Sequence, residues 1–162
     1  MAKLEVLRYP NSILRKKCDV IETIDDEVVR LARDMLETMY DGNGIGLAAP
    51  QVGISRQLIV LDIGDGPLAL INPKIVEAEG SDTMEEGCLC LPGINVDVER
   101  SARVRVTGLD PKGEELDIDA DDLLARALQH EIDHLSGKLI IDKVSKLKRD
   151  ILLKKYKKAQ QQ

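Results

Sequence analysis

The stretch Gln129-His130-Glu131-Ile132-Asp133-His134 decides how this chain is read. It is an H-E-x-x-H motif. His130 and His134 stand four residues apart, so on a helix both imidazoles leave the same face, about one turn apart. Two nitrogens at that separation grip one metal ion. Glu131, beside the first histidine, is placed to handle the proton of a metal-activated water. The chain has no other histidine in its 162 residues.

Working outward, Asp121 to Ser136 reads as the helix that carries the motif. Asp121 or Asp122 can cap its start and Gly137 can end it. Leu124, Leu128, Ile132 and Leu135 form its core stripe, while Leu123 and Ala127 lie on the metal-facing side. Two histidines on the inner side of a helix need a partner, and a metal supplies one. A catalytic site of this kind takes three protein ligands and leaves a position open for water. With no third histidine, the remaining ligand must be Cys, Asp or Glu. Cys88, in Glu85-Glu86-Gly87-Cys88-Leu89, is the best candidate, because a thiolate binds a soft or borderline cation tightly. Cys90 is the rival, since residues two apart on an extended chain point the same way.

Upstream, Asp25 to Tyr40 is an amphipathic helix with Val28, Leu31, Ala32, Met35, Leu36 and Met39 on one face and Gly42 placed to end it. The small, glycine-rich stretch from Gly44 to Gly53 lets a ligand approach the backbone, yet it lacks the Gly-Lys-Ser/Thr of a phosphate loop. Residues 57–63 read as a strand. Leu68 to Ile71 and Lys74 to Ala78 read as two more, broken at Asn72-Pro73. Ile94 to Val98, Arg103 to Leu109 and Glu115 to Ile118 follow, the last two joined as a hairpin by Asp110-Pro111-Lys112-Gly113. Strands joined by short turns without intervening helices pair antiparallel. After Ile141, residues 143 to about 156 read as a final amphipathic helix with Val144, Leu147 and Ile151 facing inward.

Length and composition fit one domain over 1–162, with no linker or repeat to divide it. Aromatics are limited to Tyr9, Tyr40 and Tyr156, which builds the core from aliphatic residues and argues against nucleic-acid binding by base stacking. Three cysteines, no secretory signal and no run long enough to span a bilayer lead to an expected cytoplasmic location with no membrane contact. Eight of the 23 basic residues, but only two of the 29 acidic ones, fall in 142–162, so an acidic body carries a basic tail.

Three segments taken in order resemble the peptide deformylase family: Gly44-Ile45-Gly46-Leu47-Ala48-Ala49-Pro50-Gln51, Glu86-Gly87-Cys88-Leu89 and Gln129-His130-Glu131-Ile132-Asp133-His134. Val6-Leu7-Arg8-Tyr9-Pro10 and Leu14-Arg15 also look like that family's opening. The resemblance implies an α+β fold, antiparallel strands packed around the motif helix. It implies metal ligands Cys88, His130 and His134, and Glu131 as general acid/base. Gln51, by its side-chain amide, and Leu89, by its backbone N–H, become oxyanion donors, and Gly46 binds the substrate backbone. The implied metal is one divalent ion, typically Fe²⁺, replaceable by Zn²⁺, Ni²⁺ or Co²⁺. The implied reaction removes the N-formyl group from the initiator methionine of newly made polypeptides and releases formate. The basic C-terminal helix then suggests contact with ribosomal RNA, without direct DNA binding. One departure is Cys90, where the family usually has Ser. The alternatives are another H-E-x-x-H metallopeptidase and a non-catalytic deformylase-like metal-binding protein.

Overall fold

In the computed structural model, residues 3–161 are described. The first helix, α1 (Asp26–Asp41), starts where the Asp25 carboxylate accepts from the Val28 N–H at 3.0 Å. Asp26 and Glu27 in its first turn suit the positive end of the helix dipole. It buries Val28, Leu31, Ala32, Met35 and Met39 and stops at Gly42, whose N–H reaches the Thr38 carbonyl.

The strands are β1 (Gly46–Ala48), β2 (Leu58–Leu61), β3 (Leu68–Glu79), β4 (Asp82–Gly87), β5 (Asn95–Arg100), β6 (Arg103–Leu109) and β7 (Glu115–Asp121). They form a five-stranded sheet in the order β1-β2-β3-β6-β7 and a two-stranded β4-β5 sheet. Every ladder between these strands is antiparallel, as short turns require for β2–β3, β4–β5 and β6–β7. β2 is buried at all four residues. Leu58 and Val60 pack on α1, and Ile59 and Leu61 pack on the second helix, α2 (Asp122–Leu135). A strand covered on both faces must read as an unbroken apolar run, and Leu-Ile-Val-Leu does. The result is an α+β fold with α2 lying against the sheet through Ala125, Leu128 and Leu135. Full burial of a side chain such as Leu128 contributes about 1.5–3 kcal/mol, which fixes α2 as a rigid support.

Three expectations need correction. β3 runs unbroken through Asn72-Pro73, where two strands were expected. The register shifts there, Asn72 takes φ of 53°, and its side chain bonds the Ile21 N–H and carbonyl at 2.9 Å each. Asparagine tolerates the left-handed region and proline is admitted at a bulge, so the ladder resumes at Lys74. β7 continues to Asp121 and runs directly into α2, whose Asp121 N-cap makes no side-chain capping bond.

The final helix, α3 (Lys146–Gln160), is rotated from the expected phase. Leu147 and Ile151 are 73% and 60% exposed, while Leu152, Leu153 and buried Tyr156 face the core. Tyr156 sets that phase: its hydroxyl donates to the Tyr9 carbonyl at 2.9 Å, and the two rings meet edge-on. Val144 does pack inward. Among the described residues, no helix is long and apolar enough to cross a membrane.

Candidate metal centre

Helix α2 delivers His130 and His134, and the turn after β4 delivers Cys88. One donor atom from each lies within 4.8 Å of the others. Cys88 Sγ is 3.3 Å from His134 Nε2. The second nitrogen of His130 is already committed, because Nδ1 meets Glu86 Oε1 at 2.8 Å. That contact leaves Nε2 for a metal and fixes the ring's orientation.

Glu86 is the centre of a buried charge network. Arg100 binds it through two nitrogens, at 2.6 and 2.9 Å, and Arg126 binds it from the motif helix. Arg100 also reaches Asp133 at 2.8 Å, and Lys143 pairs with Asp133 at 3.3 Å. Burial alone would raise the Glu86 carboxyl, but His130 and Arg100 hold it well below the usual carboxylate range. Asp133, between the two histidines, pairs with Arg100 and Lys143 and is not among the converging donors. The sequence did not single out Glu86, Arg100 or Arg126. Their partners come from three separate elements, although a charged residue four before His130 on the inner helix face was a usable signal.

Glu131 is buried and its Oε1 has no hydrogen-bond partner. Burial pushes its carboxyl up to about 7, against the pull of His130 and Arg100. Gly46, on β1, lies against it: a Cβ there would stand 2.5 Å from Glu131 Oε2. Gln51 sits in a 3-10 turn, Ala49–Val52. Its Oε1 accepts from the Ala48 N–H at 2.8 Å, so its Nε2 must face the centre, 3.4 Å from Cys88 Sγ. Without a cation, the hydrogen bond with Cys90 and burial push the Cys88 thiol up to about 11. A divalent ion reverses that balance, since a coordinating thiol is deprotonated.

These residues open onto a cavity of about 420 Å³, walled by Ile45, Gly46, Met84, Leu89, Leu123 and Ala127. Of the residues singled out in the sequence, Gly46, Gln51, Cys88, Leu89, His130 and Glu131 all line it, with His134 behind Cys88. Cys90 lies outside the set of converging donors but touches Cys88, sulfur to sulfur, at 3.3 Å.

The family model described as polypeptide deformylase matches residues 3–150. A peptide deformylase of Clostridium botulinum is 53% identical over 146 residues, covering 90% of this chain and 99% of that protein. One of Thermodesulfovibrio yellowstonii is 51% identical over 162 residues, covering 97% and 98%. The crystal structure of a peptide deformylase from Legionella pneumophila superposes with a TM-score of 0.95 at 42% identity, covering 99% of this chain and 96% of that one.

Proposed function

The chain belongs to the peptide deformylase family, enzymes that hydrolyse the N-formyl group from newly made polypeptides, and we propose here how its own residues divide that work. Cys88, His130 and His134 would hold one divalent ion; one thiolate and two imidazoles admit several first-row cations, and the family resemblance favours Fe²⁺, with Zn²⁺, Ni²⁺ or Co²⁺ able to take its place. Such an ion supplies Lewis acidity, polarising the formyl carbonyl and acidifying a water.

Glu131 takes the proton of the attacking water and returns it to the leaving amine. Burial raises this carboxyl, which favours its holding the proton between the two transfers. Gln51 Nε2 and the Leu89 N–H hold the negative charge that develops on the formyl oxygen. Loss of one such donor costs about 3 kcal/mol of transition-state stabilisation. Gly46 gives the peptide backbone room to approach, and Leu123 and Ala127 wall the methionine side chain. The formyl carbon carries only hydrogen, so a close-fitting site admits it and rejects acetyl.

The observation that carries this reading is the convergence of three metal-type donors beside a buried carboxylate oxygen without a partner. Its test is a comparison of formyl-Met-Ala-Ser, acetyl-Met-Ala-Ser and unformylated Met-Ala-Ser. Formate from the first alone is expected. Cleavage of the unformylated peptide would favour a metallopeptidase, and bound metal without any product would favour a non-catalytic role.

Glu86→Gln tests the orientation of His130. It removes the charge that Nδ1 and two arginines bind, and metal affinity should fall about 10–100-fold by competition with a chelator. Unchanged affinity would mean that Glu86 only neutralises Arg100 and Arg126.

We place residues 1–162 in the cytoplasm as one working domain, where nascent chains are met. The basic face of α3, including Lys148, Arg149, Lys155 and Lys158, is proposed to rest on ribosomal RNA. Exposed Leu147 and Ile151 interrupt those charges and are not explained by packing within the chain. If about four cations meet phosphates, ribosome affinity falls about 10²-fold between roughly 50 and 200 mM salt. A salt-independent affinity would end that assignment.

A further inference from the structure

Cys90 has no part in the hydrolysis above, yet its thiol is fully buried at 3.3 Å from Cys88 Sγ. The backbone brings the two together. A turn closed by the Leu91 N–H and the Cys88 carbonyl, at 3.0 Å, curls residues 88–91. Leu91, Ile94 and Val96 then hold Cys90 in an apolar cluster against which Cys88 packs.

Access to the two sulfurs is unequal. Cys88 is partly exposed and lines the cavity, whereas Cys90 is closed off from it. A small oxidant entering the cavity therefore meets Cys88 first. An oxidised cysteine has two fates: further oxidation, which is irreversible, or capture by a neighbouring thiol. Here the capturing thiol is already in contact, so capture is intramolecular and needs a closing movement of roughly one ångström.

We infer that Cys88 and Cys90 form a reversible dithiol–disulfide pair that traps hydroperoxide oxidation of the cavity-facing sulfur before it becomes permanent. The Cys88 sulfur attacks one peroxide oxygen. The O–O bond breaks, an S–O bond forms, and hydroxide leaves, taking the Cys88 thiol proton, or a solvent proton where the thiolate is metal-bound, to become water. The Cys90 sulfur then attacks Cys88 Sγ. The S–S bond forms, the S–O bond breaks, and the departing hydroxide takes the Cys90 proton as a second water. Two thiols lose two electrons in total and one hydrogen peroxide gains them. An external dithiol reverses the reaction. The disulfide withdraws the Cys88 thiolate, so the metal is released until reduction. That last consequence rests on the ligand assignment under Proposed function, whereas the disulfide itself does not.

The test uses metal-loaded protein purified without oxygen, with metal content and formate release recorded first. Three equivalents of hydrogen peroxide are added, enough to take a lone thiol to sulfonic acid, and remaining thiols are alkylated. Trypsin releases residues 75–100 as one peptide holding both cysteines, while Cys18 falls in another. Free thiols should fall from three to one. Peptide 75–100 should lose two hydrogens and resist alkylation. Dithiothreitol should restore both thiols and metal binding. In Cys90→Ser and Cys90→Ala the same peptide should instead gain two or three oxygens, and dithiothreitol should restore nothing. The inference is overturned if Cys88 of the wild-type peptide, distinguished from Met84 by fragmentation, gains oxygens while Cys90 still alkylates, or if either variant recovers as fully as wild type. Absence of metal or of formate before the peroxide step would contradict the functional reading, and the thiol count would still decide this one.

Discussion

Glu131→Gln is expected to lower formate release about 10³-fold while metal content stays at one ion per chain. Glutamine keeps the shape of the side chain, so its packing beneath Gly46 survives. It also leaves Cys88, His130 and His134 untouched. What it removes is the ability to accept and return a proton. Burial raises the Glu131 carboxyl, and its Oε1 has no competing partner. An amide at the same place offers a donor where an acceptor is needed. The measurement is kcat on formyl-Met-Ala-Ser with metal assayed on the same sample. A rate within tenfold of wild type would assign the proton transfers to another group.

Gly46→Ala carries the second large effect, and it comes from space alone. Gly46 is not among the residues at positive φ, so alanine suits its backbone. The added methyl, however, would stand 2.5 Å from Glu131 Oε2 and 2.9 Å from both Cγ and Cδ. Neither side can yield freely. Gly46 pairs with Leu61 in the sheet, and Glu131 is enclosed on the rigid α2. The carboxylate must shift by a large fraction of an ångström, which costs about 10² in kcat/KM when reacting groups are misplaced on that scale. Overpacking should also remove about 1–3 kcal/mol of stability, read as a lower Tm. If Gly46→Ala keeps full kcat and only raises KM, the glycine serves peptide approach alone.

That second result bears on what the sequence could tell. The H-E-x-x-H spacing puts two imidazoles on one helix face, and the apolar stripe of α2 says which face is buried. The residues alone left Cys88 and Cys90 both open as the third donor, and the family resemblance favoured Cys88, whose sulfur does converge with the two histidines. The antiparallel sheet was equally legible from short turns and alternating residues. Gly46 was readable as a place for close approach, but nothing in the sequence said that Glu131 already occupies that space. The Glu86–Arg100–Arg126 network was mostly hidden for a similar reason: Glu86 and Arg100 look like ordinary surface residues until the fold buries them, and only Arg126, one turn before His130 on the inner helix face, gave a signal. In α3, Leu147 and Ile151 sit at helical spacing and read as the inward stripe, yet Leu152, Leu153 and Tyr156 are the residues that pack inward. The choice between them was made by Tyr9, far away in sequence, and periodicity carries no such information.

The most direct test of the account is a titration. Metal-free protein is prepared without oxygen, and Fe²⁺ is added in steps while formate release from formyl-Met-Ala-Ser is followed. The account predicts no turnover at the start, a linear rise, and saturation at one ion per chain, with Cys88→Ala failing to rise over the same range. Turnover in the metal-free protein, or a full rise in Cys88→Ala, would contradict it.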